Sequence, residues 1–310
     1  MKDLLKEEYY CELITPMFLG GADGTNSHAD PEARPPSIRG GMRWWFRAIL
    51  GGLIGDNIYQ LKIAEEYVFG SPTKSSSVVV KTTGNLKSTQ YPRLPHETGE
   101  KSARRNAFSP NEIIRVTLSL SPHVRNDEEK IFKCAKYSLL LLLTLGGLGT
   151  RSRRGFGSVH LFEERDYQKL ISEAQETFKI LVTTLKLENK DWIDKPSFPC
   201  LSKNHFNLWI AESKDTWENS LENLMRKMSV FKSITEGKNF AFGGVRDKKR
   251  QASPLIVHAI KDENKNIKLL FSHFLTSQEK PFEISQLDRE NLESYIKEKF
   301  KLKKVEVFHE

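Results

Sequence analysis

Cysteine is scarce in this sequence, and its placement excludes two common ways of stabilising a fold. The 310 residues include three cysteines, Cys11, Cys134 and Cys200, which lie far apart. An odd number at these distances forms neither a zinc-binding spacing nor a disulfide framework. We therefore expect reduced thiols, as in a cytoplasmic protein.

Long apolar runs and targeting signals are also missing. The all-leucine run Leu139–Leu143 is far shorter than the roughly 20 apolar residues that span a bilayer. The charged start, Met1–Glu8, is unlike a secretory signal peptide. These absences predict a cytoplasmic location and no membrane partner.

Recognisable catalytic motifs are absent as well. The sequence contains no G-x-x-x-x-G-K-[ST], no H-E-x-x-H and no nucleophile elbow. His28 and Asp30, with Asp23, could act as an acid–base pair in an early glycine-rich loop, although a histidine in such a loop is more often a solvated turn residue. We expect no catalytic residue, no metal site and no cofactor.

Positive charge, by contrast, is in excess. The formal net charge is +8 at pH 7 and the isoelectric point is about 9.2. A cationic surplus favours polyanionic partners and says little about the fold. The places where the cations cluster are therefore more informative than their total.

Hydrophobic periodicity predicts an α+β protein. Strand and helix patterns in the first half follow the β-α-β-β-α-β order of a ferredoxin-like fold. The predicted strands are 9–14, 78–82, 113–120 and 159–162, and the predicted helices are 37–53 and 127–145.

The second half repeats this order more weakly after a helical pattern at 167–187. We therefore predict two ferredoxin-like (RRM-like) domains, residues 1–165 and 166–310. Residues 84–110 show no periodicity and many turn residues, which predicts a long, mobile insertion.

The most distinctive segment is residues 146–157, which we call the glycine-rich loop. It contains five glycines and the cations Arg151, Arg153 and Arg154, with Phe156 beside them. Arginine forks fit phosphate and an aromatic ring can stack on a base, so the composition suits an exposed RNA-gripping loop. A helix C-cap followed by a basic surface turn would have the same composition.

The predicted helix at 37–53 carries a stripe of arginines, Arg39, Arg43 and Arg47, beside its apolar face. Like charges four residues apart, near a helix start, are unfavourable unless an anion is bound. Trp44 projects roughly opposite the apolar face, where it could stack on a base. Alternatively, the arginines pair with acids elsewhere and Trp44 packs on the second domain.

A second glycine-then-basic segment at 243–251 contains Arg246, Lys248, Lys249 and Arg250. We expect it to lie on one side of the molecule with the glycine-rich loop and with residues 20–41.

Three of these segments resemble the RAMP superfamily, and within it the family of the first subunit of the Cmr complex, the type III-B CRISPR machine. They are residues 15–50, residues 145–159 with the glycine-rich loop, and residues 244–256 with an Arg-x-x-Ser-Pro-Leu element at 250–255. The resemblance implies two ferredoxin-like domains. It also implies that CRISPR RNA and target RNA are ligands and that other Cmr-type RAMP subunits are partners. The subunit would act in antiviral defence without a catalytic role of its own. A RAMP endoribonuclease that processes CRISPR RNA, or a protein-only cap of the complex, are the alternatives.

The residues expected to contact RNA are Arg39, Arg43, Trp44, Arg47, Arg151, Arg153, Arg154, Phe156, Arg246, Lys248, Lys249 and Arg250.

Overall fold

The computed structural model of the chain describes most of its residues, in two units that each contain a four-stranded antiparallel sheet. At positions 240, 245 and 246 the description covers the backbone alone. The described residues are 5–20, 30–55, 57–93, 104–162, 166–188, 196–212, 215–236, 240–246, 248–262, 264, 266–276 and 284–308.

The first unit confirms the predicted ferredoxin-like order, with strands arranged β2-β5-β1-β6 in the sheet. A helix and a two-stranded ribbon are inserted into that order. Its elements are β1 (Lys6–Leu13), α1 (Pro35–Ile54), α2 (Ile58–Phe69), β2 (Val78–Thr83), β3 (Ser88–Pro92), β4 (Arg104–Phe108), β5 (Ile113–Leu120), α3 (Glu128–Leu145) and β6 (Val159–Leu161).

The second unit has the same topology, with strand order β10-β11-β7-β12. A long helix precedes it and a short 3-10 turn at Phe240–Phe242 interrupts it. The preceding helix is α4 (Tyr167–Thr184), and the elements of the unit are β7 (Phe206–Glu212), α5 (Trp217–Ile234), β8 (Gly244–Arg246), β9 (Lys249–Gln251), β10 (Leu255–Lys261), β11 (Ile267–Phe274), α6 (Gln286–Phe300) and β12 (Lys303–Val305).

Three segments differ from the sequence-based expectation. Helix α2 was not predicted, because its buried residues make only a weak amphipathic pattern; Asn57 caps it by accepting from the Gln60 N–H at 3.1 Å. Within 84–110, strands β3 and β4 pair as an ordered ribbon where an unstructured insertion was expected. The basic segment at 243–251 is a hairpin of β8 and β9.

Helix α4 packs on the first unit. The Phe178 ring lies 4.9 Å from the Phe46 ring of α1, and Leu170 and Ile171 join the same core. A division of the chain at residue 165 remains a prediction.

The second sheet is covered on both faces, unlike the first. Alternate residues of β11 enter different cores: Leu270 and Phe274 pack with the helices of the first unit, and Leu269 and Phe271 pack under α5 and α6. On the first sheet, Tyr10 is 49% exposed. The two units are therefore joined through a continuous apolar contact.

A backbone hydrogen bond joins the glycine-rich loop to an edge strand of the second sheet. The Val257 N–H of β10 donates to the Arg153 carbonyl at 3.3 Å. The ring of His258, buried beside it, has Nδ1 facing the Gly146 carbonyl and Nε2 facing the Val159 carbonyl, and its single N–H donates to one of them. Burial lowers the pKa of His258 to about 4, so the ring is neutral at pH 7. No helix in the described part of the chain is both long and apolar enough to cross a membrane.

Candidate nucleic-acid interface

The glycine-rich loop is folded against its own chain. The Leu148 N–H donates to the Gly157 carbonyl at 3.0 Å, which closes the loop on itself. Gly157 has φ +64°, and a Cβ there would overlap the Leu148 carbonyl oxygen. A Cβ on Gly149 would likewise overlap the Phe18 carbonyl. The protein's own packing therefore accounts for these glycines, without the close approach of a ligand.

Phe156 lies inside the protein. Its side chain is 1% exposed and meets the Phe18 ring edge-on, with centroids 5.2 Å apart. Both rings belong to the core of the second unit. The expectation of an accessible stacking surface at Phe156 is wrong, because neither ring face reaches solvent.

Two of the three loop arginines hold the units together. Arg153 donates to the Ser253 carbonyl, and its guanidinium lies 5.1 Å from the Trp44 ring centroid. Arg154 donates to the Phe242 carbonyl at 2.6 Å and lies 3.6 Å from that ring's centroid. The expectation of a freely exposed loop is wrong for these two side chains, which gain fixed partners from the second unit.

Burial lowers the pKa of Arg153 and of Arg154, but both side chains keep their positive charge. It lowers the pKa of Arg153 to about 10. Burial and then neighbouring arginines lower the pKa of Arg154 to about 9. Both guanidiniums are charged at pH 7, inside a region where their charges repel each other.

Trp44 lies at the seam between the units. Its ring meets Trp45 and Phe274 edge-on, with centroids 5.0 and 5.3 Å away, and Arg153 stacks over it. The expectation that this ring projects away from the core is wrong, because Phe274 of β11 packs against it and leaves it only partly exposed. Packing on the second domain, the alternative reading of the sequence, is what the structure shows.

Two arginines of the α1 stripe share a single carboxylate of the protein. Glu65 of α2 lies 3.4 Å from Arg43 and 2.5 Å from Arg47. Arg43 also donates to the carbonyls of Phe69 and Gly70 at 3.0 and 2.6 Å. The unpredicted helix α2 thus offsets part of the local cost of the like charges.

Arg39 and Arg246, two of the residues expected to contact RNA, have few described contacts. Arg39, in the second turn of α1, is half-buried and makes no ion pair with any residue of the described ranges. Arg246 belongs to β8, and its side chain lies outside the described part of the structure.

The β8–β9 hairpin presents the most accessible cations of the predicted set. Lys248, at the turn with φ +62°, and its neighbours Lys249 and Arg250 are all exposed. The base of the hairpin reaches the glycine-rich loop, because Ser253, just beyond β9, accepts from Arg153. The predicted juxtaposition of these two basic segments is therefore observed.

The glycine-rich loop also abuts α1. A Cβ on Gly146 would lie 2.8 Å from the Trp45 indole nitrogen. The loop thus contacts both α1 and the hairpin. Residues 21–29, the other part of the predicted cluster, lie outside the described residues.

A groove beside the loop contains residues that the sequence analysis missed. Its walls are Arg151 and Arg154 from the loop and Lys232 from α5, and Phe242 forms part of its floor. Lys232 lies 5.5 Å from the centroid of the Phe242 ring. In the sequence Lys232 is one lysine among many in a polar helix, and only the approach of α5 to the loop distinguishes it.

The hypothetical acid–base pair is not assembled within the described structure. Asp30 is exposed, and His28 and Asp23 lie outside the described residues. Across the described ranges, no group of three or more His, Cys, Asp or Glu side chains could hold a metal ion.

Comparisons with known proteins place this architecture in a family. The RAMP superfamily model matches residues 10–160. The Cmr subunit Cmr1-1 of the Pyrococcus furiosus CRISPR system is 32% identical over 261 residues, which cover 73% of this chain and 75% of that protein.

Two solved structures share the fold. The apo crystal structure of Cmr1 from Pyrococcus furiosus is similar over 97% of this chain and 98% of its own, with a TM-score of 0.68 and 22% identity. A chain in a cryo-EM structure of the type III-B Cmr-beta complex, bound to cognate target RNA and AMPPnP, is similar over 96% of this chain and 100% of its own, with a TM-score of 0.59 and 16% identity. The chain described above belongs to the RAMP superfamily and, within it, to the Cmr1 family.

Proposed function

We propose that this chain is a non-catalytic RNA-binding subunit of a type III-B Cmr particle, acting in antiviral defence in the cytoplasm. Its partners would be CRISPR RNA, target RNA and other RAMP subunits. The solved Cmr-beta complex holds target RNA, and its similarity to this chain supports the assignment.

The observation that carries the RNA-binding proposal is the exposed hairpin cluster Lys248–Arg250 beside the glycine-rich loop. Three neighbouring cations on a two-stranded ribbon can follow a phosphate backbone, and the net charge of +8 favours a polyanion. The part-buried loop arginines support this surface, because Arg153 and Arg154 donate to the carbonyls of Ser253 and Phe242, which flank the hairpin.

Titration of the purified chain with a short single-stranded RNA tests this proposal. Replacing Lys248, Lys249 and Arg250 together with Ala should weaken binding to every sequence. If each contacts one phosphate, the log–log salt slope should fall by about 2. The matched control replaces Lys62, Lys133 and Lys179 with Ala. These lysines are exposed on α2, α3 and α4, and their replacement removes the same amount of positive charge.

Equal effects of the two triple variants would show that only net charge matters and would refute a binding role for the hairpin. Loss of assembly with other subunits, at unchanged RNA affinity, would favour the protein-only cap.

The non-catalytic assignment has its own test. His28→Ala and Asp30→Ala should leave target cleavage by the assembled particle unchanged. Cleavage of a CRISPR repeat RNA by the purified chain, abolished by either substitution, would establish the endoribonuclease alternative.

A further inference from the structure

The groove beside the glycine-rich loop has an unusual charge distribution. It lies between the loop and α5 and has a volume of about 220 Å³. Arg151, Arg154 and Lys232 line it, and none of its described lining residues is acidic. Lys232 and Arg154 also make no ion pair with any residue in the described ranges. Two cations from different units therefore converge with no described carboxylate between them.

Phe242 is the point on which the cations converge. Arg154 lies 3.6 Å and Lys232 5.5 Å from the centroid of its ring. A single ring can attract each cation, but it does not cancel the repulsion between them. Burial, and then the charges of Arg154 and Arg151, lower the pKa of Lys232, as expected for a lysine beside other cations.

The floor of the groove is apolar. Met225, Met228 and Phe242 line it, and each is at most 5% exposed. Low polarity beneath the cations strengthens their attraction for an anion that enters from solvent. The volume lies below the roughly 300–1,000 Å³ of small-molecule pockets, so the groove suits one charged group better than a whole cofactor.

We propose that this groove is a phosphate subsite for single-stranded RNA, formed jointly by Arg154 of the glycine-rich loop and by Lys232 and Phe242 of the second unit. It rests on the proposed RNA-binding function and assigns residues of α5 and the 3-10 turn to it. A bound phosphate would offset the repulsion among the cations, so RNA would also fasten the two units together.

Ser229 allows the proposal to be tested by adding a charge. Its exposed side chain lines the groove, whereas Ser233, one turn later on α5, is exposed and lies outside the described lining. Ser229→Glu would place a carboxylate among the cations, and Ser233→Glu makes the same change of charge outside the lining. Both variants are compared with the unmodified chain by thermal unfolding and by single-stranded RNA titration.

Ser229→Glu should have opposite effects on the two measurements. The carboxylate should neutralise the cations and raise the melting temperature, while it excludes phosphate and weakens RNA binding about tenfold. Ser233→Glu should not raise the melting temperature and should weaken RNA binding only slightly. Equal RNA affinities for the two variants, with the unmodified chain binding normally, would overturn the phosphate subsite and leave the proposed function intact.

Charge removal provides a second, independent test. Lys232→Ala should lower the affinity about tenfold and reduce the log–log salt slope by about 0.7, the value for one phosphate on a single strand. The control is Arg226→Ala, because Arg226 lies on the same helix and pairs with Glu222. An unchanged slope for Lys232→Ala would refute the subsite. If the unmodified chain binds no RNA, the proposed function itself fails.

Loss of subunit assembly in Ser229→Glu, with RNA affinity equal to that of Ser233→Glu, would instead identify an acidic protein segment as the occupant. That result would also overturn the proposal.

Discussion

Gly157→Ala tests whether the glycine-rich loop owes its glycines to internal packing. Gly157 has φ +64°, a left-handed conformation that a Cβ disfavours by about 1–2 kcal/mol. The new Cβ would also overlap the Leu148 carbonyl oxygen. That oxygen belongs to backbone, so relief requires the loop to move, and overpacking of this kind costs about 1–3 kcal/mol.

Together these effects predict a loss of about 2–5 kcal/mol in the free energy of unfolding. Gly40→Ala provides the control. Gly40 lies within α1, and a Cβ there would meet nothing within 4 Å. It should stabilise the protein by about 1 kcal/mol, because alanine is the better helix former.

Chemical denaturation of the two variants measures both changes, and RNA titration under native conditions follows separately. If the glycines serve RNA approach alone, Gly157→Ala would bind RNA poorly at unchanged stability. That outcome would refute the packing argument.

Three further predictions concern the seam between the units. Trp45→Ala removes a core side chain and should lower the free energy of unfolding by about 3–5 kcal/mol. Trp44→Ala should lower it by less and should leave the RNA affinity of the folded protein normal. Thermal melts and RNA titrations of the two variants check both expectations. Arg153→Ala should lose about 1.5–3 kcal/mol, measured by urea denaturation, because a charge-assisted hydrogen bond across the seam is removed. Burial lowers the pKa values of His258 and His273 from 6.5 to about 4, so the unfolded chain binds more protons between those pH values. The contribution of the two neutral histidines to the free energy of unfolding should be fully present above pH 6.5 and should fall as the pH drops toward 4. A urea unfolding midpoint that stays constant from pH 6.5 to pH 5 would contradict this.

The sequence by itself determined the fold class and the order of the strands and helices that form the ferredoxin-like unit. Strands such as Ile113–Leu120 and helices such as α3 bury regular apolar patterns, and those patterns depend only on local spacing. The positions of the basic segments were also evident, because clustered Arg and Gly stand out in composition.

Only the tertiary structure decided what the cations do. The sequence does not show an acidic partner for Arg43 and Arg47, and only the packing of α2 on α1 places Glu65 beside them. Phe156 becomes inaccessible only when the Phe18 ring packs on it, and Trp44 becomes partly buried only when Phe274 of the second unit packs on it. Accessibility and charge neutralisation depend on contacts between residues distant in the chain, and a pattern of neighbouring residues carries no information about those contacts.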